Sequence, residues 1–201
     1  MEHQDIRDKQ LLFTLLLNVL RTVSPVPEPD QPLIRDAFVV RKVKANEILL
    51  LSGNVARELF FIVSGILKIT SISEKGNHVT QFFLKENQFC SILSSLNGGT
   101  SAEESIMAAC DCELLVITKS KLLSLYKQLP YFELLIKHIT TQTLLSKIQT
   151  RNAYMGEDAL TRYKKFISRQ PDIALRVPLV DVASYLGITQ QSLSRIRRNI
   201  R

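Results

Sequence analysis

From Ala37 to Thr118 the chain reads as short apolar runs, each closed by turn residues. The runs are "FVVRKV", "EILLL", "LFFIVSG", "ILKITSIS", "VTQFFL", "SIMAA" and "ELLVIT". Breaks fall at Ser52-Gly53-Asn54, Ser64-Gly65, Glu74-Lys75-Gly76-Asn77 and Asn97-Gly98-Gly99. Several short strands at this spacing predict a barrel or sandwich, with a hairpin turn at "SEKGNH". On either side the period changes to that of a helix. Residues 6–23 are helical by pattern, and "SPVPEPDQP", with four prolines within residues 24–32, predicts a stiff, extended linker. "KSKLLSLYKQLP" predicts a short helix stopped by Pro130. Residues 131–150 predict a longer helix without Gly or Pro. That helix has two apolar stripes: Leu134, Thr141, Leu145 and Ile148 on one, with Leu135, Ile139 and Gln142 beside it. Two stripes suit a helix packed on its own domain and on a second subunit, whereas an ordinary core helix uses one.

The last quarter is helical again. "RNAYMGED" reads as a hinge at 151–157, and residues 157–169 place Ala159, Leu160, Tyr163, Phe166 and Ile167 on one face. Pro178 suits the first position of a further helix whose apolar face is Leu179, Val182, Ala183 and Leu186. Gly187 allows a tight turn, and Thr189 is a natural N-cap for the final helix. Leu193, Ile196 and Ile200 hold that helix down. Its outward face is Gln191, Ser194, Arg195 and Arg198, flanked by Gln190, Arg197 and Arg201. Guanidinium groups, amides and hydroxyls are the groups that bond base edges and phosphates. Two short helices around a glycine turn, the second basic and polar outward, form a helix-turn-helix pattern. The candidate DNA-binding residues are Thr189, Gln190, Gln191, Ser192, Ser194, Arg195, Arg197 and Arg198, with Lys164 and Lys165 as further phosphate contacts.

Charge supports the same segment. Residues 1–150 hold 16 basic and 15 acidic side chains, while residues 151–201 hold ten and four. A basic excess confined to one end points to a polyanionic partner there. The 201 residues, 45% hydrophobic and 22% charged, fit a globular chain with a real core. No apolar run is long enough for a membrane span, and "LLFTLLLNVL" lacks the flanks of a signal peptide, so a cytoplasmic protein is expected. Three cysteines, Cys90, Cys110 and Cys112, make no disulfide framework and no metal set; buried or half-buried thiols are the simpler reading. No nucleophile–base pair or phosphate loop points to an enzyme, and the adjacent Glu103-Glu104 reads as a solvated turn.

Over residues 34–201 the chain resembles the Crp/Fnr family, the cyclic-AMP receptor protein type of bacterial transcription regulator. "EILLLSGNVARELFFIVSGILKI" looks like the family's roll-entry segment, with Ser64-Gly65 after a strand at the expected place. "VASYLGITQQSLSRIRR" looks like its DNA-reading unit, and Arg195 matches its most constant recognition-helix arginine. The resemblance implies an α+β fold. Residues 1–33 would be an N-terminal helix and linker, and 34–129 an antiparallel β-roll of the cyclic-nucleotide-binding type. A dimerisation helix would follow at 130–151, and an all-α helix-turn-helix domain at 152–201. It implies a homodimer, joined through residues 131–150, on a palindromic operator of double-stranded DNA, with RNA polymerase a candidate further partner. Gln190 and Gln191 stand where many members carry other base-contacting residues, which implies a different operator.

The effector pocket departs from the family. Nucleotide-binding members carry Gly-Glu-Leu and, about ten residues later, Arg-Ser; the Glu holds the ribose and the Arg the cyclic phosphate. By spacing, Ile92 replaces the Glu, Ala102 the Arg and Glu103 the Ser. A phosphate would then meet no cation and a nearby carboxylate, at a cost on the order of a few kcal/mol. The expectation is no cyclic AMP binding, no cofactor, and an effector of unknown identity if any. An iron–sulfur cluster needs four cysteines, and for haem only His78 offers an axial ligand; His3, His78 and His138 read as surface or interface residues. Only "DIALRV" separates Pro171 from Pro178, so a wing-like hairpin is not expected. The alternative reading is a small-molecule or cyclic-nucleotide sensor that regulates another protein without reading DNA.

Overall fold

The computed structural model describes residues 2–73 and 76–200. Glu74 and Lys75 of the expected turn lie outside the described residues, as do Arg201 and the side chains of His3 and Ile200. Helix α1 (Glu2–Arg21) buries Phe13, Leu16, Leu17 and Leu20 against the rest of the chain. The proline stretch does not stay extended. Pro29 sits in a short 3-10 turn at Glu28–Asp30, and Pro32 lies in the first turn of α2 (Gln31–Ala37). The fixed φ of proline is pre-organised for a first helical turn, where no N–H partner is needed. The boundary expected between residues 33 and 34 therefore falls inside a helix.

The strands are β1 (Val39–Val43), β2 (Ile48–Leu50), β3 (Glu58–Ser64), β4 (Leu67–Ile72), β5 (His78–Leu84), β6 (Phe89–Cys90), β7 (Ser105–Ala108) and β8 (Cys112–Thr118). They form two antiparallel sheets, ordered β1-β8-β3-β6 and β2-β7-β4-β5. Strands β3 and β8 are almost wholly buried, as their unbroken apolar runs require. The edge strand β1 is instead largely exposed, with only Val43 buried, and its Arg41 makes a two-pronged pair with Glu58 at 2.8 and 2.6 Å. Strand β6 and helix α3 (Leu93–Gly98) were not expected from the pattern; both are short and rest on tertiary contacts.

Helix α4 (Lys119–Gln128) leads into α5 (Pro130–Asn152). The inner stripe of α5 buries Phe132, Leu135, Ile136 and Ile139 in the main core, which also holds α1 and both sheets. Its outer stripe is unpartnered: Leu134 is 70% exposed, Leu145 47% and Ile148 39%. The C-terminal helices are α6 (Ala159–Arg169), α7 (Pro171–Arg176), α8 (Leu179–Tyr185) and α9 (Gln190–Ile200). "DIALRV" is thus mostly a short helix rather than a hairpin. These helices gather round a second core that also takes in Ile66, Phe83 and Ala109 of the strand-rich domain. No described helix is long and apolar enough to cross a membrane.

Gly65 turns β3 into β4 at φ +100°, where a Cβ would lie 2.4 Å from Cys112 Sγ and 2.6 Å from the Asp111 carbonyl oxygen. Gly65→Ala is expected to destabilise the fold by on the order of 3 kcal/mol, from positive φ plus overlap with backbone. Chemical denaturation checks this, with Gly53→Ala, which meets open space, as the milder comparison.

Candidate nucleic-acid interface

Helix α8 starts after Pro178, which is its N-cap rather than its first helical residue. It ends in a turn that satisfies its last carbonyls: Gly187 N–H donates to Ser184 O at 3.1 Å and Ile188 N–H to Ala183 O at 3.0 Å. Gly187 takes φ +66° to do so. Arg162 of α6 donates from Nη1 to Leu186 O at 2.5 Å, so the turn is braced from a third helix. The Nε of Arg162 is buried without a partner, which marks this brace as tightly enclosed. Thr189 then caps α9, its Oγ1 accepting from Ser192 N–H at 3.1 Å and donating to Ser192 Oγ at 2.9 Å. Leu193 is fully buried among Phe166, Val182 and Tyr185 and fixes the roll angle of α9.

With Leu193 inward, Gln190, Gln191, Ser192, Arg195, Arg197 and Arg198 are exposed and Ser194 is half-buried. Ser194, Arg197 and Arg198 share an open groove with Leu179, at the start of α8. Thr189 and Ser192 are engaged with each other, so the groups free to meet a partner are the two glutamines, the arginines and Ser194.

Each acid of residues 151–201 is engaged away from this face. Glu157 holds Lys165, and Asp158 caps α6 by accepting from the N–H groups of Leu160 and Thr161. The Thr161 N–H bond is the main cause that holds the Asp158 carboxyl below its ordinary range. Asp172 pairs with Lys85 at 2.6 Å, and Asp181 pairs with Lys68 at 2.6 Å. Among the described residues, Arg195, Arg197 and Arg198 form no ion pair. Lys164 is exposed, but Lys165, expected as a phosphate contact, is half-buried and bound to Glu157.

The segment read as a hinge is anchored. Arg151 bonds Gln81, and Tyr154 is buried. Tyr185 of α8 packs on Phe83 at 5.1 Å, on Phe166 at 5.8 Å and on Tyr154 at 5.9 Å between ring centroids. Gln170 donates to the Tyr154 hydroxyl at 2.9 Å. The helix pair, α6, the turn after the long helix and the sheet thus meet at one aromatic cluster.

A cavity of about 260 Å³ lies between β4–β5, the start of α3 and the inner side of α5. Ile92 lines it, but Ala102 and Glu103 do not. Ala102 is buried in a backbone exchange with Gly53 and Asn54, and Glu103 points to solvent. Glu104 lines the cavity in its place, and Lys147 supplies an amine, so an anion there would not be without a cation. Burial, helped by the nearby Lys85, pulls the Lys147 ammonium down to about 8. Neither Lys147 nor Glu104 was visible as a cavity group from spacing, since each comes from a different element. Burial pushes the thiols of Cys90 and Cys112 up to about 12, which makes them poor nucleophiles. Among the described residues, no group of three or more His, Cys, Asp or Glu side chains could hold a metal.

Residues 40–129 match the family model of the cyclic nucleotide-binding domain. A long helix and a helix-turn-helix follow that domain. In fold the chain resembles solved Crp/Fnr regulators. The Crp/Fnr likeness extends over most of the chain in solved structures. The c-di-GMP-responsive global regulator CLP of Xanthomonas campestris superimposes with a TM-score of 0.67 at 14% identity, covering 87% of this chain and 91% of that one. A protein from Eubacterium rectale assigned to the Crp/Fnr transcriptional regulators gives 0.65 at 18% identity, covering 87% and 83%. At such identities the likeness is one of fold. In sequence, the global nitrogen regulator of Nostoc sp. is 30% identical over 63 residues, 31% of this chain and 28% of that protein. The matched stretch is therefore under a third of that relative's length.

Thr189→Ala removes the α9 cap and is expected to cost about 1 kcal/mol of helix stability. Amide exchange of residues 190–193 should rise, with that of β3 and β8 unchanged, and Thr189→Ser should restore protection.

Proposed function

We propose that this chain is a transcription regulator that reads a specific DNA sequence as a homodimer. The observation that carries this is the exposed face of α9, where amides and arginines stand together while every acid of the surrounding helices is engaged elsewhere. Arginine reads guanine and glutamine reads adenine through paired hydrogen bonds, so Arg195, Gln190 and Gln191 are the base-reading candidates. Arg197, Arg198 and Lys164 are suited to phosphates, which makes affinity fall with salt. The outer stripe of α5, Leu134, Leu145 and Ile148, supports pairing with a second copy. Two-fold pairing sets two recognition helices about 34 Å apart and calls for an inverted-repeat operator.

The cavity on the inner side of α5 is the place for an effector, and the reading holds that cyclic AMP is not one. Ile92 offers no acceptor to a ribose, and the Glu104 carboxylate opposes a phosphate that only the Lys147 amine would attract.

Selection from random duplexes should enrich an inverted repeat. Arg195→Ala should weaken binding to the selected duplex by about tenfold or more, the value of one paired base contact. Leu134→Glu with Leu145→Glu should give a folded monomer by sedimentation, with specific binding lost. Binding without any enriched sequence, or affinity indifferent to salt, would sink the proposal. For the cavity, saturating cyclic AMP should leave the melting temperature unchanged; a clear rise would reverse that part of the reading.

A further inference from the structure

A second and larger cavity, of about 750 Å³, lies apart from the one on the inner side of α5. It takes Leu49 and Leu50 from β2 and Ile106 from β7 of one sheet, and Phe60 from β3 of the other. Leu123 of α4 forms part of its wall. Leu50, Phe60 and Ile106 are buried, whereas Leu123 is 48% exposed. Of the residues that line the two cavities only Ser91 is shared, and its hydroxyl donates to the Glu58 carbonyl oxygen at 2.8 Å. The N–H of Ala56, another lining residue, donates to Ser95 Oγ at 2.8 Å. These polar groups are already satisfied, so the interior suits hydrocarbon better than a sugar or a base.

The charged groups that line this cavity leave an excess of one sign. Arg57 is exposed and Lys119 half-buried, and among the described residues neither forms an ion pair. Lys119 Nζ makes only a 3.4 Å contact with the Asn97 carbonyl oxygen. Glu58 is the one acid among the lining residues, and Arg41 occupies both of its oxygens at 2.8 and 2.6 Å. Helix α4 begins at Lys119, with Thr118 as its cap, so the positive end of its dipole adds to the same field.

We infer that this cavity is a second ligand site and that it takes a medium-chain fatty carboxylate. The chain lies along Leu49, Phe60, Ile106 and Leu123, and Arg57 and Lys119 hold the carboxylate. A nucleotide would set its ring hydroxyls against hydrocarbon, and an uncharged lipid would leave two cations without a counter-charge. A fatty carboxylate answers both features, and it covers Leu123, which otherwise stands in water.

The test uses the full chain and straight-chain carboxylates from octanoate to dodecanoate, titrated by calorimetry below their micelle concentrations. A single site is expected, with affinity rising about four-fold for each buried methylene. Decanol should bind about ten-fold more weakly than decanoate, because it forgoes the charge-assisted bonds. Arg57→Gln with Lys119→Gln should bring decanoate down to the level of decanol. Leu123→Trp should block the cavity and abolish binding. If that variant folds poorly, Leu123→Glu, which sets a like charge beside the ligand, is read in the same way. Ser94→Trp, at the exposed rim of the other cavity, should bind decanoate as the parent does. No binding of dodecanoate, equal affinity for decanol and decanoate, or binding lost in Ser94→Trp but kept in Leu123→Trp overturns the inference. DNA plays no part in the readout, so failure here is separate from failure of the DNA-reading proposal.

Discussion

Tyr185 is the side chain on which the arrangement of the C-terminal helices depends. Its ring meets Phe83 from the sheet, Phe166 from α6 and Tyr154 from the turn after α5. Tilted and edge-on aromatic contacts have preferred geometries, so they fix orientation as well as adding burial. Tyr185 lies in the helix that precedes α9, with the Gly187 turn between them. Once the ring is seated, the turn and Leu193 leave α9 only one direction to face. The exposed arginines are displayed on a rigid mount because an aromatic cluster beneath them is closed.

The long helix α5 works under a different constraint. It must cover the main core with one side and leaves Leu134, Leu145 and Ile148 in water with the other. It also contributes Lys147 to the cavity and Arg151 to the sheet. Three surfaces of the molecule are thus read by one rigid rod, and a rod does not bend to satisfy one of them without disturbing the others.

Much of this was legible in the chain. Alternating and unbroken apolar runs located seven of the strands, and caps and glycines located the helix pair, because those signals are local. The remaining elements carry no local signal. Helices α3 and α7 and strand β6 are too short for a period to show, and α2 was hidden by prolines that begin a helix as readily as they prevent one. Lys68 and Asp181 are far apart in sequence, and neither announces the other. Asp181 did leave a trace, as a lone acid in the apolar stretch "PLVDVASY", where a buried carboxylate demands a partner. Counting along one loop does not find the groups of the cavity on the inner side of α5: Glu104 lines it while Glu103 does not, and the cation arrives from a helix far downstream.

Strand β5 is the last in its sheet, and α8 lies along its open side, with Ser184 bonded to both the Thr80 N–H and the His78 carbonyl. An uncovered terminal strand is a template on which another chain can add itself. Wherever the helices are held against the sheet, that template is closed. A form in which they swing clear would present a bare strand edge, so mobility in this molecule carries a tendency to self-associate, and the docked state protects solubility as well as geometry.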